Sequence, residues 1–390
     1  MGQMNFRLLR ADEMSAELWS GFHALRDARS LYDDPFFDPH YAQLVAGVRP
    51  DARIGLAFQG DALVGVWPLH RRPGAWARPI GGPFSDWHGP VLSGDTALTA
   101  HAFLKGLGFV GMSTFGWLPQ DTESSSRLTM AGANMSDLHD GWDAFLANQN
   151  ERWPKHFKKM RRLERNMERD FSDVEFRIDD KSDDTFNRLI FLKREQFRRT
   201  GRHDVLASDW AQRLIDRMRH FRSDRFRLRL VSLHLDGNHA ASELVIQSDK
   251  IVHGWLTAYE ASAAQYSPGN FVVQNMLEAM AAQTGPKIYD AGPGLDHYKR
   301  HYSNLQLPTG SGVVRAKTIA IRPERLFGQA WRSGELHLDS RLSEVMKSAR
   351  RRLDQVCISE IRPAGRLVGI GKAFGRAAAA LELADSDASS

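Results

Sequence analysis

Tyr259-Glu260-Ala261-Ser262-Ala263-Ala264-Gln265-Tyr266-Ser267-Pro268-Gly269-Asn270 joins an apolar run at residues 251–258 to an apolar helical pattern at 271–282. The run before it suits a strand, and the pattern after it suits a helix. Ser267 stands where a helix N-cap belongs, and Pro268 where the first turn tolerates a missing N–H. Gly269 carries no side chain to hold a ligand away from the backbone. A strand, a tight turn and a helix N-terminus make an anion site, because unpaired N–H groups and the helix dipole face the ligand. A plain strand-to-helix turn uses the same residues, so the surroundings have to decide between the two.

Upstream, residues 226–230 (Phe-Arg-Leu-Arg-Leu) alternate as a half-buried strand should, and the phase slips near Val231–Ser232. Asp236-Gly237 turns the chain back into residues 243–247, and Ser248-Asp249-Lys250 turns it again into 251–258. This is a three-stranded antiparallel meander. Helical patterns at 185–200 and 210–221 precede it. Downstream, residues 287–292 read as a short strand ending in a glycine loop, and 313–321 as one more strand.

The first half repeats this order. Residues 52–58 and 62–70 form a hairpin about Gly60, 97–107 a helix and 111–118 a further strand. Between them, residues 80–92 are rich in glycine and proline but also hold Ser85, Asp86, Trp87 and His88, a polar and aromatic mix often found facing ligands. The halves share no sequence identity of note, so the repeat is architectural. A meander followed by a helix crossing to one more strand is the core order of the GNAT acyltransferase fold. The expectation is an α/β protein of two tandem GNAT-like units with mixed sheets flanked by helices. Residues 1–148 make the first and 149–322 the second, with a helical extension and disordered tail over 323–390.

Between the halves, Trp153, Phe157, Met160, Leu163 and Met167 recur at helical spacing, and Lys155, Lys158, Lys159, Arg161, Arg162, Arg165 and Arg169 take the remaining arc. An amphipathic helix with a cationic outer face follows, suited to an anionic partner along residues 152–169 or simply to water. With 390 residues and 42% hydrophobic content the chain can bury real cores. No run approaches the length of a transmembrane segment, and the N-terminus lacks a secretory apolar core. One cysteine, Cys357, excludes an internal disulfide, and neither CxxC nor HExxH spacing occurs, so no metal is expected. The expected setting is the cytoplasm, with contact at the inner face of a membrane left open.

The pieces Ala240-Ala241-Ser242-Glu243-Leu244, His253-Gly254-Trp255, Tyr266-Ser267-Pro268-Gly269, Asp290-Ala291-Gly292-Pro293-Gly294 and Tyr298-Lys299 together resemble the GNAT-like acetyltransferases of the CelD type, associated with bacterial cellulose and polysaccharide biosynthesis and related to the FemAB-like tandem transferases. The resemblance covers roughly residues 150–310. Ser85-Asp86-Trp87-His88-Gly89-Pro90 also resembles an element of the first half of such proteins. What the resemblance implies is acyl transfer from a thioester, usually acetyl-CoA, to an amine or hydroxyl of a sugar-linked acceptor. Tyr259 would then flank the acyl group, with Ser267, Pro268, Gly269 and Asn270 at the phosphates. Candidate catalytic groups are Asp290 as base, Tyr298 as acid and Glu243 as a second base. Glu243 has a water-facing alternative, and Asp290 has the alternative of capping its turn through Gly292. Ser85, Asp86, His88 and Lys299 are candidates for the acceptor, and His253 reads as a satisfied sheet histidine. One departure stands out: the usual GNAT phosphate loop carries more glycines than the single Gly269. FemAB-like enzymes lack that loop and use aminoacyl-tRNA, which is the second donor to consider. A non-catalytic module holding an anionic partner is the third reading.

Overall fold

The computed structural model describes residues 3–120, 128–200, 202–294, 299–316, 353–361, 365–367 and 369–371. The first half runs β1 (Met4–Leu9), α1 (Ala16–Asp27), α2 (Pro39–Ala46), β2 (Ala52–Gln59), β3 (Ala62–Arg72), β4 (Trp76–Pro79), a short β5 (Val91–Leu92), α3 (Ala100–Gly106), β6 (Gly111–Trp117) and β7 (Thr129–Asp137). The bridging helices α4 (Trp142–Arg152) and α5 (Pro154–Asp170) follow. The second half runs β8 (Val174–Ile178), α6 (Asp183–Arg199), α7 (Asp209–His220), β9 (Phe226–Leu235), β10 (Asn238–Ser248), β11 (Ile251–Tyr259), α8 (Pro268–Ala282), β12 (Ile288–Pro293) and β13 (Leu305–Arg315).

The halves share one mixed sheet, ordered β1-β2-β3-β4-β6-β13-β7-β12-β11-β10-β9-β8, with β5 attached to β3. Read from either end, the order is the same under exchange of halves: β1 answers β8, β2 answers β9, and so on to β7 and β13 at the centre. In each half a helix crosses from the meander to a strand parallel to its last member, β4 with β6 and β11 with β12. The final strands are exchanged. β13 pairs with β6 of the first half, while β7 pairs with β12 of the second, and the two pair with each other. An edge that each half would otherwise expose is thereby covered by the other.

Turn chemistry and burial explain the elements. Asp236 and Gly237 both have positive φ, 47° and 74°, as a two-residue hairpin loop requires. One face of α5 buries Phe157, Met160, Leu163 and Met167 against β9–β11 and α8, while its cations stay exposed. Helices α1, α2, α6 and α7 pack on the opposite side in a core that draws on both halves, whereas α3 has its own core with β2, β3 and β6.

Several local expectations change. Ser267 does not cap α8: it takes a left-handed conformation (φ 54°, ψ 50°) and its side chain makes no cap hydrogen bond. The cause lies upstream, where Ala261–Tyr266 winds as a 3-10 helix closed by Ser267 N–H on Ala264 O (3.0 Å), so the chain must reverse before α8 can start. The phase slip expected near Val231–Ser232 is absent, because β9 simply becomes buried on both faces there. The register shifts fall in β10, at His239/Ala241 against β9 and at Leu244/Val245 against β11. The last strand starts earlier than residue 313, at Leu305. Most of the 323–390 extension and Tyr298 lie outside the described residues.

Candidate active site

Strands β11 and β12 pair in parallel over three residues, Ile251–His253 with Ile288–Asp290, and then part. Where they separate, the loop after β4 reaches the fork from the first half. Trp255 Nε1 donates to Phe84 O (2.8 Å) and Trp87 Nε1 to Asp290 Oδ2 (2.5 Å). At the fork sits His253, fully buried. Its Nδ1 faces Asp34 Oδ2 at 3.0 Å and Asp290 Oδ2 at 3.4 Å, and its Nε2 faces Asp86 Oδ2 at 3.1 Å. Both ring nitrogens meet carboxylate oxygens, so both carry protons and the ring is an imidazolium. Burial alone would depress its pKa, but Asp34 and Asp290 outweigh that and push it well above the ordinary value.

The carboxylates divide by environment. Burial lifts Asp34 to about 6, against the pull of His253. Burial also opposes ionisation of Asp290, yet the His253 charge and the hydrogen bonds from Trp87 and Gly292 hold it below the ordinary carboxyl range. Asp290 is completely buried with both oxygens engaged, Oδ1 accepting from Gly292 N–H at 2.6 Å. It therefore caps its turn and also anchors His253, but presents no oxygen to an acceptor. Asp86, with 34% of its side chain exposed, is the member of the cluster that reaches solvent.

Two glycines make room for Asp86. Gly292 has φ 78°, and a Cβ there would lie 2.9 Å from Asp86 Oδ2; Gly116 has φ 62°, and a Cβ there would lie 1.7 Å from Asp86 O. The other loop candidates are not presented to a substrate. Ser85 is fully buried and its hydroxyl donates to Ile80 O. His88 is buried edge-on against Phe115, and that burial depresses its pKa to about 3.

Glu243 belongs to the other side of the sheet. Tyr289 and Asp290 are neighbours on β12 and point to opposite faces; Tyr289 OH donates to both Glu243 oxygens (3.0 and 3.1 Å), and Thr257 Oγ1 donates to Oε1 (2.9 Å). Glu243 is buried, which removes its water-facing alternative, and burial raises its pKa. Lys299 Nζ donates to Pro293 O at 3.3 Å.

At the start of α8, Pro268 is buried as its first residue, while a Cβ on Gly269 would meet nothing within 4 Å. Ser267 places no cap side chain on the first-turn N–H groups, and although Asn270 N–H is spent on Ser267 O (3.0 Å), the space over Gly269 is open. That arrangement fits a phosphate. Tyr259, 45% exposed, lines a cleft of about 200 Å³ between the end of β11 and α6, together with Leu192, Gln196 and Arg199. Among the described residues, Asp34, His253 and Asp290 bring ligand atoms within 4.8 Å of one another, close enough to hold a metal ion. The imidazolium accounts for the contacts among these three side chains.

Asp34 is the residue that sequence reasoning missed. Asp33-Asp34-Pro35 signals a turn, and Asp34 Oδ1 does accept from Phe36 N–H (2.9 Å), but nothing local reports a partner 219 positions away.

Residues 154–300 match the family model described as an acetyltransferase (GNAT) domain. This segment is a GNAT domain. In GNAT terms, β9–β11 are its meander, α8 its crossing helix and β12 the strand beyond. No curated protein sequence matches the chain. Solved structures similar to it include the C-terminal domain (DUF2156) of a putative lysylphosphatidylglycerol synthetase from Agrobacterium fabrum, at 11% identity over 77% of this chain and 92% of that one, TM-score 0.45. A tandem GNAT protein from the clavulanic acid biosynthesis pathway has 10% identity over 82% and 100%, TM-score 0.43. A GCN5-related N-acetyltransferase from Kribbella flavida has 10% identity over 80% and 71%, TM-score 0.38. At such values the fold rests on the strand order and the matched GNAT segment.

Proposed function

We propose that the second half transfers an acyl group from a thioester, acetyl-CoA, to an amine or hydroxyl of a sugar or polysaccharide-linked acceptor, as the CelD-type resemblance implies. In this reading residues 1–148 and 149–322 are two GNAT-like halves, 323–390 is an extension, and the enzyme works in the cytoplasm. The observation that carries it is the fork between β11 and β12, with α8 opening beyond β11 and Asp86 reaching solvent at the branch point. Among the described residues no helix is long and apolar enough to cross a membrane.

The thioester carbonyl lies along the edge of β11 that β12 leaves beyond His253, where backbone N–H groups polarise it. The phosphates rest on the first turn of α8 at Gly269 and Asn270. Asp86 takes the proton of the acceptor nitrogen or oxygen as that atom attacks the carbonyl carbon. The tetrahedral intermediate then collapses, the C–S bond breaks and the thiolate leaves, to be protonated by solvent or by Tyr298. His253, held by Asp34 and Asp290, positions Asp86 and does not touch the acceptor. The roles first given to Asp290 thus divide, with proton removal passing to Asp86 and anchoring staying with Asp290. A FemAB-like aminoacyl-tRNA donor is the second reading, favoured by the single glycine, Gly269, in the first turn of α8.

The test is thiol release from acetyl-CoA with a panel of amino and hydroxyl sugars. Asp86→Asn lowers kcat on the order of 10²-fold or more while KM for acetyl-CoA stays near wild type. Full turnover by Asp86→Asn refutes the assignment of the base.

A further inference from the structure

Helix α5 has 17 residues and, at 1.5 Å per residue, is about 25 Å long. Its apolar stripe is consumed in the core: Phe157, Met160 and Met167 are 2% exposed and Leu163 5%. No apolar surface is left on it for insertion. What it presents is charge. Lys155, Lys158, Lys159, Arg161, Arg162, Arg165 and Arg169 are all exposed. Among the described residues only Arg169 is paired with a carboxylate, Asp170 at 2.8 Å, while Arg161 bonds the amide oxygen of Asn150 at 2.7 Å.

The charge is concentrated at the N-terminal end. Residues 152–162 contain Arg152, Lys155, Lys158, Lys159, Arg161 and Arg162 and no carboxylate, a surplus larger than the +5 of the entire chain. The rest of the chain therefore carries a net charge close to zero. Arg300 extends the strip, its guanidinium lying 5.0 Å from the Trp153 ring centroid with Arg152 at 5.6 Å from the same ring. The half-buried Trp153 ring is taken up by Arg152 and Arg300, and the exposed large hydrophobics among the described residues, Met130, Val174, Phe191, Tyr259, Leu305 and Leu367, lie off α5, so the strip lacks the open row of stacking platforms that single-stranded nucleic acid uses. A straight row of cations whose apolar side is buried complements an extended anionic plane.

We infer that the outer face of α5, with Arg300, docks the protein peripherally on an anionic phospholipid surface. Contact is electrostatic and reversible, with the helix lying parallel to the surface and its apolar side remaining in the core. Tyr266 OH donates to Asp170 Oδ2 (2.8 Å), so the C-terminal end of the docked helix is tied to the segment that leads into α8. The inference stands independently of the acyl donor and acceptor proposed above.

The experiment is co-sedimentation of the full chain with phosphatidylcholine vesicles containing about one third phosphatidylglycerol, and with pure phosphatidylcholine, at about 0.1 M and about 0.5 M salt. Wild type partitions onto the anionic vesicles at low salt and is released at high salt. At about fivefold per cation, the combined variant Lys155→Ala, Lys158→Ala, Lys159→Ala and Arg162→Ala binds several hundredfold more weakly. Arginine at the three lysine positions keeps binding within about twofold, separating charge from side-chain identity. Three results overturn the inference: wild type ignores anionic vesicles, the alanine variant still binds them, or the strip captures tRNA while leaving vesicles alone.

Discussion

Replacing His253 with alanine removes one imidazolium from contact with three carboxylates, two of them on the other half of the chain. The Nδ1 contacts to Asp34 (3.0 Å) and Asp290 (3.4 Å) and the Nε2 contact to Asp86 (3.1 Å) are all lost. Asp290 is fully buried and Asp34 is 5% exposed, so neither can recover water in exchange. Leaving partners of a buried ion pair uncompensated costs about 3–5 kcal/mol. His253→Ala should lose that amount in urea unfolding at neutral pH, followed by circular dichroism. Adding Asp34→Asn to His253→Ala removes one of the stranded charges and should return about 1–3 kcal/mol. The pH dependence has a fixed sign. His253 has a raised pKa in the fold, so its contribution is complete below the unfolded imidazole's value near 6.5 and is lost as pH climbs through the higher folded value. The gap between wild type and His253→Ala therefore narrows on the alkaline side. A loss below about 1 kcal/mol at neutral pH, or no recovery from Asp34→Asn, refutes the imidazolium.

Asp51 offers a second buried charge set, accepting from Arg49 at 2.9 Å and from Arg72 at 2.7 Å, with His70 3.2 Å away. Burial would raise its pKa, but these partners outweigh it and hold it well below the ordinary range, so its contribution is present above the unfolded value and lost as pH falls. Asp51→Asn should cost about 3–5 kcal/mol in thermal or urea unfolding at neutral pH, and the cost should shrink in acid. Gly116→Ala forces a Cβ to 1.7 Å from Asp86 O at a positive φ, so turnover should fall with the displaced Asp86 loop and the melting temperature should drop by several degrees. Glu243→Gln keeps an oxygen for Thr257 and Tyr289 to donate to, so stability should change by less than about 1 kcal/mol in the same unfolding assay.

The sequence makes the architecture legible because the signals it uses are local. The Asp236-Gly237 hairpin, the amphipathic spacing of α5 and the apolar run into α8 each report themselves within about a dozen residues. The exchange of β7 and β13 is different. Thr129–Asp137 alternates only weakly, through Ala131, Ala133 and Met135, and its partners β12 and β13 lie far along the chain. The site divides in the same way. Asp86 and Asp290 stand out because each sits in a polar loop or at a strand end beside glycine. Asp34 looks like a turn residue, and His253 looks like a sheet histidine, until tertiary packing brings them within 3.0 Å. Ser85 and His88 show the reverse error: their residue types suggested substrate contact, whereas the loop spends them on its own packing. Ser267 shows how a local rule fails when a 3-10 turn upstream fixes the backbone first.

The central claim is that the first turn of α8 receives the phosphates of an acyl-CoA, and calorimetric titration with acetyl-CoA tests it most directly. Gly269→Asp is the discriminating variant. A side chain there meets open space, and an acidic residue in a first turn favours the helix, so the protein should be at least as stable as wild type. The same carboxylate repels a phosphate. The account predicts saturable binding by wild type and at least about a tenfold weaker Kd for Gly269→Asp. Absence of binding by wild type at millimolar ligand, or equal affinity in the variant, would contradict it.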